Sequence, residues 1–217
     1  MSLIKIKKEE VSPIILLMMM FFCIVGSSIT GASARDTLFL TQFDRSLLPL
    51  MFALVAGLMV VVISIYNKMT SNLDLVKTII SSSVFFCITL FIIRFRLNGF
   101  VIPLFYAWTD VIISITIFQF WLLASEIFNA RQAKRLFSVI GIGGSIAGIS
   151  AGYLMRPFVL QFGAENLLIP TAIFIALIGI FAALLNPFRV KTDSNIDPDT
   201  KNGTSKNIFD PYLKSIL

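Results

Sequence analysis

Asp110 is the only carboxylate set well inside a long apolar stretch of this chain. At 100° per residue, Tyr106, Asp110, Ser114 and Trp121 fall on one face of a helix. A stripe of phenol, carboxylate, hydroxyl and indole suits a water-filled, solute-binding cavity. An Asp that hydrogen-bonds a neighbouring helix is the plainer alternative, and both stay open. Arg35 and Asp36 adjoin a run of small and hydroxyl residues, Gly26 to Ala34. Arg35 there is a candidate for attracting an anion, or half of an interfacial Arg–Asp pair. Gln119 and Glu126 share the opposite face of the Asp110 helix. Glu126 is expected to pair with Arg131, Lys134 or Arg135.

Other chemistry is excluded by what is absent. The sequence has no His. That removes the Ser-His-Asp triad, the Cys-His pair and the H-E-x-x-H zinc site. Cys23 and Cys87 lie inside apolar runs and read as buried thiols, with no zinc motif or disulfide framework. Gly141-Ile142-Gly143-Gly144 lacks the Lys-Ser/Thr ending of a phosphate loop and a preceding strand. No enzyme, cofactor or metal is expected. The charge of +6 needs no nucleic-acid partner, because membrane topology accounts for it.

Composition names the elements that must hold these residues. The 217 residues are 57% apolar and 14% charged, with a mean hydropathy of +0.88. Soluble domains average about 45–50% apolar and about 25% charged. A bilayer-crossing helix needs about 20 mostly apolar residues. Six such runs are present, at about 13–34, 47–66, 75–93, 100–124, 136–155 and 166–186. The fold class is therefore all-α integral membrane, with a lipid bilayer as its first partner. Residues 1–12 read as a cytoplasmic N-terminus, 187–207 as a cytoplasmic linker and 208–217 as the start of a seventh span. Twelve Lys and Arg fall on the N-terminal side of these spans against five on the other. The positive-inside rule thus puts both ends in the cytoplasm of an inner (plasma) membrane. Ala32-Ser33-Ala34 mimics a signal-peptide cleavage site, but the preceding run of about 20 residues exceeds the usual 7–15.

Gly144, Gly148 and Gly152 repeat every four residues in the fifth run. Small-xxx-small is a packing seam between membrane helices. It serves as a static contact or as a sliding gate.

Two stretches carry a resemblance. One is Ala34-Arg35-Asp36-Thr37-Leu38-Phe39-Leu40. The other runs from Phe120-Trp121 through Ala124, Phe128 and Arg131-Gln132-Ala133-Lys134-Arg135-Leu136-Phe137 to Gly141, Gly143-Gly144 and Gly148. Together they resemble the ATP/ADP antiporter-like (nucleotide transport protein) family, related to the major facilitator superfamily. The resemblance implies one six-helix half of a twelve-helix bundle, with a C-terminal half or second subunit to complete it. It implies nucleotide exchange, ATP against ADP, by alternating access. Its matching positions are Arg35, Asp36, Trp121, Lys134 and Arg135, and the solute would be a small anion such as a nucleotide. A facilitator of another solute, coupled to protons through Asp110, is the rival expectation. A non-transporting membrane scaffold or sensor module is another.

Overall fold

The computed structural model describes residues 8–70, 73–97 and 99–189. The expected linker beyond Arg189 and the start of a seventh span lie outside the described residues, as do residues 1–7. Six long helices run in chain order: α1 Lys8–Gln42, α2 Leu48–Thr70, α3 Leu75–Phe95, α4 Val101–Ile127, α5 Ala130–Phe162 and α6 Leu168–Leu185. Short 3-10 turns at Arg45–Leu47, Ala164–Leu167 and Asn186–Phe188 complete the described elements. All six long helices are apolar and long enough to cross a bilayer. In lipid the backbone must satisfy its own hydrogen bonds, which is why an apolar run of this length becomes a helix.

Two helices outrun their apolar stretches. The first run was expected to close near residue 34, with Arg35 at its mouth. Instead α1 continues to Gln42, since nothing between Ala34 and Gln42 breaks a helix and the charges there find partners. α5 begins at a capping box: Asn129 Oδ1 accepts from the Gln132 amide at 3.0 Å, and Gln132 Oε1 accepts from the Asn129 amide at 3.1 Å. It ends at Gly163, whose φ of +83° favours glycine and turns the chain into α6.

α1 is the central helix and packs on α4, α5 and α6; α3 lies against α6 and α4. α2 sits at the edge against α4, its surface almost wholly exposed. A polar pin holds it there: buried Gln119 donates to Tyr66 Oη of α2 at 2.7 Å and to Ser82 Oγ of α3 at 2.9 Å.

The core has two apolar layers. One gathers Leu17, Met20 and Ile24 of α1 with Ile79, Phe120, Leu123, Leu136 and Ala182. The other gathers Phe39 of α1 with Leu90, Ile102, Phe105, Tyr106, Val111 and Ile175. Buried hydroxyls of Ser27, Thr30, Thr109 and Thr171 lie toward the middle of the bundle. Ser27, Thr30 and Thr109 donate to carbonyls of their own helices, and Thr171 contacts Thr30 Oγ1 at 2.8 Å. Hydroxyls bonded in this way can stay in a dry interior.

Ion pairs tie the helix ends together. Glu10 of α1 accepts from Arg135 Nη2 at 2.7 Å and from the side-chain Nε2 of Gln132 at 3.0 Å. Arg189 reaches Glu126 at 2.6 Å and Asp74 at 2.6 Å. Glu126 therefore pairs with Arg189 rather than with the expected Arg131, Lys134 or Arg135. Its position at the end of α4 puts it beside the residue leaving α6, which helical periodicity along α4 does not reveal. Burial on its own lowers the Arg189 guanidinium, but its bonds to Asp74 and Glu126 outweigh that and hold it above its ordinary value. Arg189→Gln should destabilise the bundle by about 1–2 kcal/mol, because the clamp is partly exposed. Denaturant unfolding in detergent measures this. The difference should shrink as salt rises, and an unchanged midpoint at low salt would refute the clamp.

Candidate functional site

Arg35 and Asp110 form an ion pair across α1 and α4, through Nη1 and Oδ1. Their side chains are 13% and 25% exposed. Arg35 Nε also donates to Asp36 Oδ1 at 3.2 Å, and Asp36 is half exposed. The guanidinium carbon lies 4.6 Å from the Tyr106 ring centroid, a cation–π stack. Tyr106 is buried and packs its other contacts on Phe39, 5.2 Å away. One cation is thus held by two carboxylates and an aromatic face.

Helix geometry makes this convergence possible. Tyr106 and Asp110 are one turn apart, so both meet α1 on the same face. Arg35 precedes the end of α1 by seven residues, and Asp110 follows the start of α4 by nine. At 1.5 Å per residue the pair lies about 10–14 Å in from that end of the bundle. A cavity of about 10 Å³, the size of one water, borders the residues just inward: Ser27, Gly31, Thr109 and Thr171. A second cavity of about 200 Å³ opens between α1, α5 and α6, lined by Phe22, Gly26, Ala151, Met155 and Phe174. Both are below the roughly 300–1,000 Å³ of a typical ligand pocket.

The remaining candidates separate. Ser114 is half buried on α4. Trp121 lies eleven residues beyond Asp110, about 16 Å along the axis. There it packs on Phe21, Phe120 and Phe137, with ring centroids 5.1–6.0 Å apart. The expected four-residue stripe is therefore two sites: Trp121 keeps nearly the angle of Asp110, about 20° from it at 100° per residue, but stands three turns further along the axis. Lys134 is exposed at the start of α5. Arg135 is taken up by Glu10. Glu10 and Arg35 lie at opposite ends of α1, about 37 Å apart. Lys134 and Arg135 consequently do not join Arg35 around one ligand.

The glycine seam is also corrected. A Cβ placed at Gly148 or Gly152 would meet nothing within 4 Å among the described residues. The close approach is at Gly143 and Gly144 instead. A Cβ at Gly143 would lie 2.3 Å from the Met18 carbonyl oxygen, and one at Gly144 would lie 2.6 Å from the Phe21 ring. Of the glycines in α5, only Gly143 and Gly144 face α1 closely; Gly141, Gly148 and Gly152 meet nothing within 4 Å among the described residues.

Sequence reasoning missed Glu10, Gln132, Arg189 and the hydroxyls of Thr109 and Thr171 as partners. The capping pattern at Asn129 and Gln132 was the one local signal available; the others depend on which helices become neighbours.

Six long apolar helices, with a partly covered ion pair between two of them, define a multi-pass integral membrane protein. Comparison with family models, with curated proteins and with solved structures gives no match.

Proposed function

We propose that this chain is a six-helix half of a membrane solute transporter working by alternating access, with Arg35, Tyr106 and Asp110 at the centre of its solute site. The observation that carries this reading is the Arg35–Asp110 pair inside an apolar bundle. Ionisable groups inside a membrane are costly, and they mark solute or ion pathways. Packing alone would be served more cheaply by apolar side chains of similar volume. The pair is only partly covered, which suits a site completed by a second half or subunit.

Anionic solutes follow from the guanidinium, which offers planar donors to a carboxylate or phosphate. The sequence resemblance extends this to nucleotide exchange. The test is uptake of radiolabelled ATP and ADP into proteoliposomes holding the complete protein, beside Arg35→Ala. Saturable uptake, stimulated by internal nucleotide and lost in the variant, is the expected result for an exchanger. Absence of nucleotide uptake from well-folded protein would discard nucleotides as the solute and leave other anions to be tried. The scaffold alternative gains if no anionic solute moves at all.

A further inference from the structure

The three nitrogens of the Arg35 guanidinium have different surroundings. Nη1 is sealed from solvent and turned to Asp110 across the helix interface. Nε donates to Asp36 Oδ1 at 3.2 Å. Nη2 has no partner among the described residues and is not sealed. The Tyr106 ring covers one face of the plane, 4.6 Å from the central carbon. The open approach is the edge that Nε and Nη2 share. Two parallel N–H donors on such an edge match a pair of oxygens on a carboxylate or phosphate.

Asp36 stands on half of that edge. Its hold is weak: one bond, between residues adjacent in sequence, to a carboxylate half open to water. A pair this exposed is worth at most about fivefold in a binding constant. Asp110 is different. Three-quarters of its side chain is covered, and stripping the cation from a carboxylate in such a place costs about a hundredfold or more. Asp36 therefore gives way more readily than Asp110.

We infer that the solute is an oxyanion bound through two oxygens to the Nε–Nη2 edge of Arg35, that Asp36 is the carboxylate it displaces, and that Asp110 stays on Nη1 as a positioning residue. This rests on the reading of Arg35, Tyr106 and Asp110 as a solute site. Asp36 is then a built-in competitor that sets selectivity. An oxyanion offers Arg35 two bonds where Asp36 offers one, so the exchange is favourable. A halide offers a single contact and gains nothing over Asp36. The displaced Asp36 side chain turns into the water it already meets. Asp110 and the Tyr106 ring hold the guanidinium plane, so the open edge keeps facing the solute. No covalent bond forms or breaks in this exchange.

The test measures binding of radiolabelled phosphate, acetate and ATP to the complete protein in lipid nanodiscs near neutral pH. Asp36→Asn should bind the oxyanions about two- to fivefold more tightly than wild type, because the competitor is gone. The gain should shrink as potassium chloride is added. Bromide should displace bound phosphate far less well than sulfate does, and that margin should narrow in Asp36→Asn. Arg35→Lys keeps the charge but loses the paired donors, so it should weaken binding by about tenfold or more. Solid-state NMR of protein with carbon-13 in its aspartate carboxyls reads the displaced group directly, with Asp36→Asn and Asp110→Asn assigning the signals. Saturating phosphate should move the Asp36 signal and leave that of Asp110 in place. Folded Asp36→Asn binding no more tightly than wild type, or movement of the Asp110 signal alone, would overturn the exchange at Asp36 and leave the solute site standing. Bromide competing as well as sulfate, or full binding by Arg35→Lys, would overturn the paired edge and leave the site standing. No binding of any probe to folded wild type or Asp36→Asn would overturn both.

Discussion

Arg35→Gln should cost the folded bundle about 3 kcal/mol, and the double variant Arg35→Gln with Asp110→Asn should recover most of it. Removing one partner of a buried ion pair typically costs 3–5 kcal/mol, because the other charge is stranded. The lower end applies here, since Asp110 remains a quarter exposed and water can reach it. Loss of the guanidinium from the Tyr106 face adds a share of the roughly 0.5–2 kcal/mol of a cation–π contact. Asp110→Asn alone should cost less, because Arg35 keeps Asp36 and Tyr106. Chemical unfolding in detergent, set out as a double-mutant cycle, gives the coupling energy directly. Strictly additive costs would show that the two side chains do not depend on one another, and the candidate site would lose its foundation. Transport separates stability from function: the double variant should be stable yet inactive.

Gly143→Ala should destabilise by about 3 kcal/mol, at the upper end of typical overpacking penalties, while Gly148→Ala should be neutral or stabilising by up to about 1 kcal/mol. The added methyl at 143 would sit 2.3 Å from a backbone oxygen of Met18, so two helix axes must part. A backbone carbonyl cannot swing aside as a side chain can. Moving α5 off α1 would also strain the contacts between Glu10, Gln132 and Arg135 at the same end. At 148 the methyl meets open space among the described residues, and alanine is the better helix former. The same pair of variants decides between the seam expected from the four-residue repeat and the one observed. Equal effects at both positions would mean that the Gly148 face also packs closely in the membrane.

Much of the architecture was legible in the residues themselves. An apolar run of some 20 residues has one stable fate in a bilayer, so the number of spans follows from hydropathy. Each of the six runs falls within or along one of α1 to α6, with extra turns at the ends of α1, α2, α4 and α5, longest on α1 and α5. Arg35, Tyr106 and Asp110 were also legible as candidates, since charge inside an apolar run is rare enough to stand out. Tyr106 and Asp110 sharing a face needed only the helical period. Extending that face to Trp121 failed because residues that share an angle on a helix can still lie several turns apart along it.

Partnership was the part that chain order could not reveal. Arg35 and Asp110 are 75 positions apart, Glu10 and Arg135 are 125 apart, and Arg189 and Asp74 are 115 apart. Whether α1 lies on α4 or on α2 depends on side-chain volumes summed over whole interfaces, which no local pattern encodes. That choice turned Arg35 from a residue at a mouth into a cation already paired inside the bundle. It took Arg135 for Glu10 and left Lys134 at the far end. It put the helix contact at Gly143 and Gly144 rather than at Gly148 and Gly152. Hydropathy and periodicity determined which elements exist and which residues are costly to bury. Tertiary packing alone decided which charges neutralise one another, because Coulomb energy depends on separation in space and not on position along the chain.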